Sequence, residues 1–198
     1  MKIDPYIENK QDSLTIKANK MEYFEDFDKI VATFSVETIL KEASVFSDFL
    51  IYYNEEGRAL FTGQPRLETD FGTGIAESFN LFFVEDEIDR VEFVNDCRLD
   101  FSFEEDGEEA QDNWLKADKI NISFAEGDPS KIDAHDNISY LFITEEEKRR
   151  TKEYVANRSS SDFLELYIDE DLKIEQIQQE KNIRGTYIFK SAKRIIKK

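Results

Sequence analysis

The sequence is short of the residues that site chemistry usually draws on. Its one cysteine, Cys97, allows no disulfide within the chain. Its one histidine, His135, has no cysteine or second histidine near it in sequence, so it reads as a strand-end residue and not a metal ligand. Cys97 likewise has no histidine close by to activate it and reads as a small buried hydrophobe. Proline and glycine are scarce, at 3 and 7 residues, which argues against a turn-dense small sandwich, a collagen-like chain or a linker-rich one. Excess positive charge is absent too. Lys and Arg number 26 against 44 Asp and Glu, for a net charge of -18. Such a surface repels nucleic acid and anionic membranes over any long approach, so no nucleic-acid partner is expected. No stretch reaches the ~18 consecutive apolar residues of a membrane helix. The first ten residues lack the apolar core, ~7–15 residues long, of a signal peptide. The expectation is a cytoplasmic protein or one whose leader has been removed.

Carboxylates are so abundant that no pair of them points to acid–base work, and the separation that glycoside hydrolysis requires is not a sequence property. The run Glu104-Glu105-Asp106-Gly107-Glu108-Glu109 lacks calcium-loop spacing and reads as a solvated loop. Gly72-Thr73-Gly74 is too short for a phosphate loop and is expected between strands. No catalytic residue, metal site or cofactor is predicted, and the chain is expected not to be an enzyme.

Apolar residues, by contrast, are plentiful at 40%, with 17 Phe and 8 Tyr, and they alternate at period 2. Ile120, Ile122 and Phe124 alternate with Asn121 and Ser123, and Leu164, Leu166 and Ile168 with Glu165 and Tyr167. An anchor of a small residue followed by an acidic or amide residue recurs as Ala18-Asn19, Ser47-Asp48, Ala76-Glu77, Ala117-Asp118 and Ser161-Asp162. Two residues beyond each anchor stands Met21, Leu50, Phe79, Ile120 or Leu164; four beyond, Tyr23, Tyr52, Leu81, Ile122 or Leu166; six beyond, Glu25, Asn54, Phe83, Phe124 or Ile168. Even spacing keeps these columns on one face of a strand. Each unit then turns into a second strand, expected to begin at Ile30, Leu60, Val91, Ile132 or Ile177. A strand pair cannot bury its apolar face alone, so five such units stack into a continuous interior. The stack leaves an edge strand at each end, open to pairing with another chain.

Two inserts lengthen the later units, near residues 100–112 and 144–158. The second predicts a short exposed helix, from the capping-box spacing of Thr144 with Glu147 and the pairs Glu145/Arg149 and Glu146/Arg150. The expected organisation is an N-terminal segment over residues 1–13, one domain over 14–190 and a basic tail over 191–198. The basic run Lys190, Lys193, Arg194, Lys197 and Lys198 is expected to be a solvated tail.

The string Ile16-Lys17-Ala18-Asn19-Lys20-Met21-Glu22-Tyr23 recurs as Leu115-Lys116-Ala117-Asp118-Lys119-Ile120-Asn121-Ile122, followed by Lys131-Ile132-Asp133-Ala134-His135-Asp136-Asn137-Ile138. This pairing resembles the OstA-like family of lipopolysaccharide-transport proteins, which includes LptA, LptC and the N-terminal domain of LptD. The family's Gly-Asn pair appears here only as Asp136-Asn137, Lys181-Asn182 and Asn95-Asp96. The resemblance implies a twisted, partly open β-jellyroll with an apolar groove for acyl chains. It also implies a periplasmic setting, lipopolysaccharide or another acylated lipid as cargo, and end-to-end docking with other OstA-like domains, including a head-to-tail homo-oligomer. On that footing the expected groove lining is Tyr23, Tyr52, Phe79, Leu81, Phe83, Ile120, Ile122, Phe124, Leu166 and Ile168, with Arg58 and Arg66 near headgroups. The alternatives are a closed-core envelope scaffold or interaction module that binds no lipid, and a jellyroll carbohydrate-active enzyme, which nothing in the sequence favours.

Overall fold

Among the residues the structure describes, period-2 alternation becomes an antiparallel sheet of 14 strands. The computed structural model describes residues 14–40, 43–69, 72–85, 87–101, 113–125, 128–148, 151–169 and 174–189. The strands are β1 (Thr15–Lys17), β2 (Lys20–Phe24), β3 (Lys29–Ile39), β4 (Ala43–Tyr53), β5 (Arg58–Thr62), β6 (Arg66–Thr69) and β7 (Gly72–Ile75). There follow β8 (Ser78–Val84), β9 (Glu87–Phe101), β10 (Asn113–Ala125), β11 (Asp128–Lys148), β12 (Thr151–Ile168), β13 (Ile174–Glu180) and β14 (Arg184–Phe189). The second strands of the units begin a few residues before their expected starts, because their first residues still pair across the hairpin, as Lys29 does with Phe24 and Arg58 with Tyr53.

A line of corners folds this sheet into two layers. The first layer runs β1-β3-β4-β6-β7-β9-β10-β11-β12-β14 and the second β2-β3-β4-β5-β8-β9-β10-β11-β12-β13, with the long strands crossing from one to the other. Each corner is a pair of residues in the left-handed region: Phe34-Ser35, Gly63-Gln64, Asn95-Asp96, Asp136-Asn137 and Lys181-Asn182. Two such residues in succession break the ladder and turn the strand, and Asn and Asp tolerate this backbone best. Register shifts fall at the corners, between Thr33 and Val36 and between His135 and Ile138.

The anchors found in the sequence sit opposite these corners. The N–H groups of Asn19, Asp48, Glu77 and Asp162 donate to the carbonyls of Phe34, Gly63, Asn95 and Lys181 at 3.0–3.2 Å. In three units the anchor carboxylate also accepts from the corner amide: Glu77 from Asn95, Asp118 from Asn137 and Asp162 from Asn182, at 2.9, 2.6 and 2.6 Å. The first anchor residue is small because it faces the inside of the bend. Ser47 and Ser161 are buried there and donate to the carbonyls of Phe49 and Phe163.

Two expectations are corrected. Residues 144–148 and 151–158 are strand, not helix: β11 and β12 stay in register out to Lys148 opposite Thr151. A short polar helix must nucleate unaided and is marginal in water, whereas a hairpin already paired from Lys131 and Tyr167 onward adds further pairs without a new nucleus. Gly72-Thr73-Gly74 is not a loop between strands but the body of β7. A Cβ on Gly74 would lie 2.6 Å from Cε1 of Phe93, so the bare backbone lets the ring of the second layer reach the first. Residues 1–13, the acidic run at 104–109 and the basic tail lie outside the described residues.

Candidate functional site

Among the described residues, every unit contributes to the space between the layers. Its walls are the columns counted from the anchors, and burial falls along them with distance from the corner. In the middle units the residues two beyond the anchor, Leu50, Phe79 and Ile120, are wholly buried, as is Leu164 in the fifth. Four beyond, Leu81, Ile122 and Leu166 are buried and Tyr52 is half-buried. Six beyond, Phe83, Phe124 and Ile168 are half-buried and pack against the core from its margin. The interior is therefore a wedge of burial, complete at the corners and partial toward the hairpin tips of the second layer. Phe79 meets Phe93 edge-to-face at 4.5 Å near the tight side, and Tyr52 meets Phe83 at 6.2 Å near the margin. Aromatic pairs of this kind add specificity to a packing that is otherwise hydrocarbon.

Nine of the ten residues expected to line a groove come together on this wedge. Tyr23 is the exception in degree: it stands on the edge strand β2, 54% exposed, with its hydroxyl donating to Asp28 at 3.0 Å. That hydrogen bond holds the phenol proton and raises its pKa. Met21 on the same strand is exposed as well, and at the other edge Ile177, Ile183 and Tyr187 are exposed. Among the described residues, both ends of the wedge thus present apolar side chains on edge strands paired on one side only.

The wedge also changes character along its length, which the sequence columns did not reveal. At its C-terminal end a hydrogen-bonded relay replaces hydrocarbon: Asn157 Nδ2 donates to the Tyr140 hydroxyl, which donates to Gln179 Oε1, and Gln179 Nε2 donates to Ser161 Oγ, each at 3.2 Å. Ser159 Oγ donates to the carbonyl of Arg184 at 3.0 Å. Tyr140 is wholly buried, and that burial raises its pKa. The signal in sequence was Ser159-Ser160-Ser161 on a strand otherwise apolar inward, together with Gln179 where Leu164 has its cross-strand partner.

Cys97 lies on the first layer just past its corner, buried like Val36 and Ile138 at the matching positions. Desolvation pushes its thiol up to about 12, and Sγ donates to the Asp118 carbonyl at 3.3 Å, which leaves no nucleophile at neutral pH. His135 ends its strand segment at a corner, 3.1 Å from Asp133, and helps line an open polar depression of about 420 Å³ with Asp136, Asp162, Phe163, Glu180 and Lys181. Among the described residues no group of three His, Cys, Asp or Glu is arranged to hold a metal ion.

The outer side of the second layer carries a cross-strand row that pairs Phe24, Lys29, Tyr53, Arg58, Phe82 and Arg90 in succession. Lys29 stands over Phe24 at 5.1 Å, Arg58 over Tyr53 at 4.4 Å and Arg90 over Phe82 at 4.1 Å. Arg58 is thereby committed to Tyr53, to Glu56 and to Asn80, while Arg66 stands over Phe46 on the outer side of the first layer. Neither arginine faces the wedge.

No known family and no curated protein matches the chain by sequence. Among solved structures, the crystal structure of LptH from Pseudomonas aeruginosa is similar in fold. LptH is described as the LptA-homologous periplasmic component of the conserved lipopolysaccharide transport device. The two share 10% sequence identity at a TM-score of 0.52, over 66% of this chain and 94% of that one. The chain is an all-β jellyroll of stacked antiparallel strand pairs, with the architecture seen in an LptA homologue.

Proposed function

We propose that this protein is a non-enzymatic lipid carrier of the OstA-like type, which shelters the acyl chains of lipopolysaccharide or a related glycolipid in the wedge between its layers. The observation that carries the reading is the graded burial of the anchor columns, from Phe79 through Leu81 to the half-buried Phe83. That gradient supplies a hydrocarbon margin along which the layers can part to admit a chain. Each methylene transferred from water gains ~0.8 kcal/mol, so a twelve-carbon chain gains about 9 kcal/mol before ordering costs. No polar contact at the wedge competes with that. The setting of this reading is the periplasm, where similar domains meet end to end through the open strands β2 and β13. The likeness to LptH supports the setting and the cargo class alike.

A second reading, a closed-core scaffold without lipid, draws on the complete burial of Leu50, Phe79, Ile120 and Leu164. Native mass spectrometry of the protein with lipopolysaccharide and with simpler acylated lipids separates the two. Stoichiometric adducts, lost in Phe83→Glu and Phe124→Glu variants that remain folded, are the expected result. Folded protein that forms no adduct with any lipid would establish the scaffold instead.

A further inference from the structure

In a chain this acidic, a basic face needs a reason. On the outer side of the first layer, Arg98 pairs directly with Lys116 across β9 and β10, and Ser160 with Arg184 across β12 and β14, with Ser139 between the two pairs. The neighbouring row sets Asp100, Trp114, Leu141 and Arg158 side by side. Arg98 and Lys116 both stand over the Trp114 ring, at 5.9 and 5.7 Å. Arg98 is paired with Asp100, but among the described residues Lys116, Arg158 and Arg184 have no carboxylate within ion-pair distance, and all three are exposed. Strands lie ~4.8 Å apart, so these four cations, spread over four strand gaps, span about 19 Å of the face.

We infer that this face docks on an anionic lipid bilayer, with Trp114 and Leu141 at headgroup depth and the four cations against lipid phosphates. A tryptophan beside an aliphatic residue, ringed by Lys and Arg, matches the polarity of a bilayer interface, where aromatic rings settle at the headgroups and cations meet phosphate. A soluble polyanion would use the cations and leave the Trp114–Leu141 centre without a role. The net charge of -18 fixes the orientation. The carboxylates of the second-layer hairpins, among them Glu25, Asp26, Glu55 and Glu56, belong to the other layer. At physiological ionic strength charges beyond about 8 Å are screened, so only the face turned to the bilayer counts. At very low salt the whole-molecule repulsion returns, and at high salt the patch itself is screened. Binding therefore passes through a maximum near physiological salt. This docking does not depend on the wedge holding lipid, and an absence of lipid adducts in mass spectrometry leaves it intact.

The test is cosedimentation of the full chain with vesicles of phosphatidylcholine alone or with phosphatidylglycerol added, across a salt series. Wild type is expected to sediment only with the anionic vesicles. Lys116→Gln with Arg158→Gln is expected to weaken that binding about thirtyfold. Lys20→Gln with Lys119→Gln removes the same charge from the second layer and is expected to leave binding near wild type. All four positions are outward-facing, and circular dichroism checks that both pairs fold. No sedimentation of wild type at physiological salt overturns the proposal, as does equal loss in the two pairs. Retention on immobilised polyphosphate without vesicle binding overturns it in favour of an acidic macromolecule.

Discussion

In the second layer, the fully buried interior positions are hydrocarbon throughout: Leu50, Phe61, Phe79, Leu81, Phe93, Ile120, Leu164 and Leu166. The first layer, made largely from the same strands on the far side of the corners, admits Thr38, Ser47, Asn113, Ser159 and the Tyr140 relay. Asn113 shows how that is tolerated, since its Oδ1 accepts from the Ile143 N–H at 2.6 Å. The outer sides differ as well. The second layer carries aromatic–cation pairs set one against the next, and the first gathers Arg98 and Lys116 on the single Trp114 ring, where among the described residues only Arg98 has a carboxylate partner. The corners account for the divergence. Because each strand is turned and re-registered there, the two layers need only share a backbone and an interior boundary, and each can drift in composition by itself. The repeat is a property of the second layer, and the features that distinguish this chain from a generic stack are in the first.

The comparison can be broken or sharpened by substitution. Phe93→Ala removes a ring that serves both layers and is expected to cost about 4 kcal/mol in urea denaturation; a cost below about 1 kcal/mol would mean the layers do not pack on each other. Gly74→Val places methyl groups against that ring from the first layer and is expected to cost about 3 kcal/mol. The same change made in the Phe93→Ala background should cost clearly less, because the two positions couple through direct contact. Tyr140→Phe leaves Gln179 and Asn157 short of a partner in a buried place, for an expected loss of about 2 kcal/mol. An outcome near zero would reduce the relay to filler.

Titration separates the layers more gently. The folded state holds the Cys97 thiol protonated up to about 12, while the unfolded thiol ionises near its ordinary value. The unfolded chain binds fewer protons between those two values, so stability is full below the ordinary value and falls as pH rises toward about 12. The slope has an upper bound of about 1.4 kcal/mol per pH unit. Cys97→Val should flatten it relative to wild type, and identical slopes would show that the thiol is not desolvated. Smallest of all, Arg90→Gln removes one half-buried cation–aromatic pair of the second layer together with the Arg90–Glu92 ion pair, with an expected loss of about 1 kcal/mol read from the melting curve.

How much of this was legible depended on parity. The columns from Met21 to Ile168 were readable because even spacing survives any register, and the anchors because five copies repeat them. The corners were half readable: Asn95-Asp96, Asp136-Asn137 and Lys181-Asn182 carry residues suited to a left-handed backbone, but Phe34-Ser35 and Gly63-Gln64 do not spell the same motif. Residues 144–148 and 151–158 look helical in sequence because their charge pairs are local signals, while the pairing that makes them strand comes from strands already aligned farther down. Odd-numbered columns were overlooked. Phe24, Tyr53, Phe82 and Tyr167 stand five beyond their anchors, and only the cross-strand register shows that Lys29, Arg58, Arg90 and Lys131 face them.

The repeating corner makes the molecule a ruler. Each unit contributes two strands, about 9.6 Å of wedge, and touches only its neighbours. Its interior is then measured in whole units, and a copied or deleted unit changes the length of that interior without asking the others to repack. The polar relay at Tyr140 and Gln179 marks where this particular ruler stops measuring hydrocarbon.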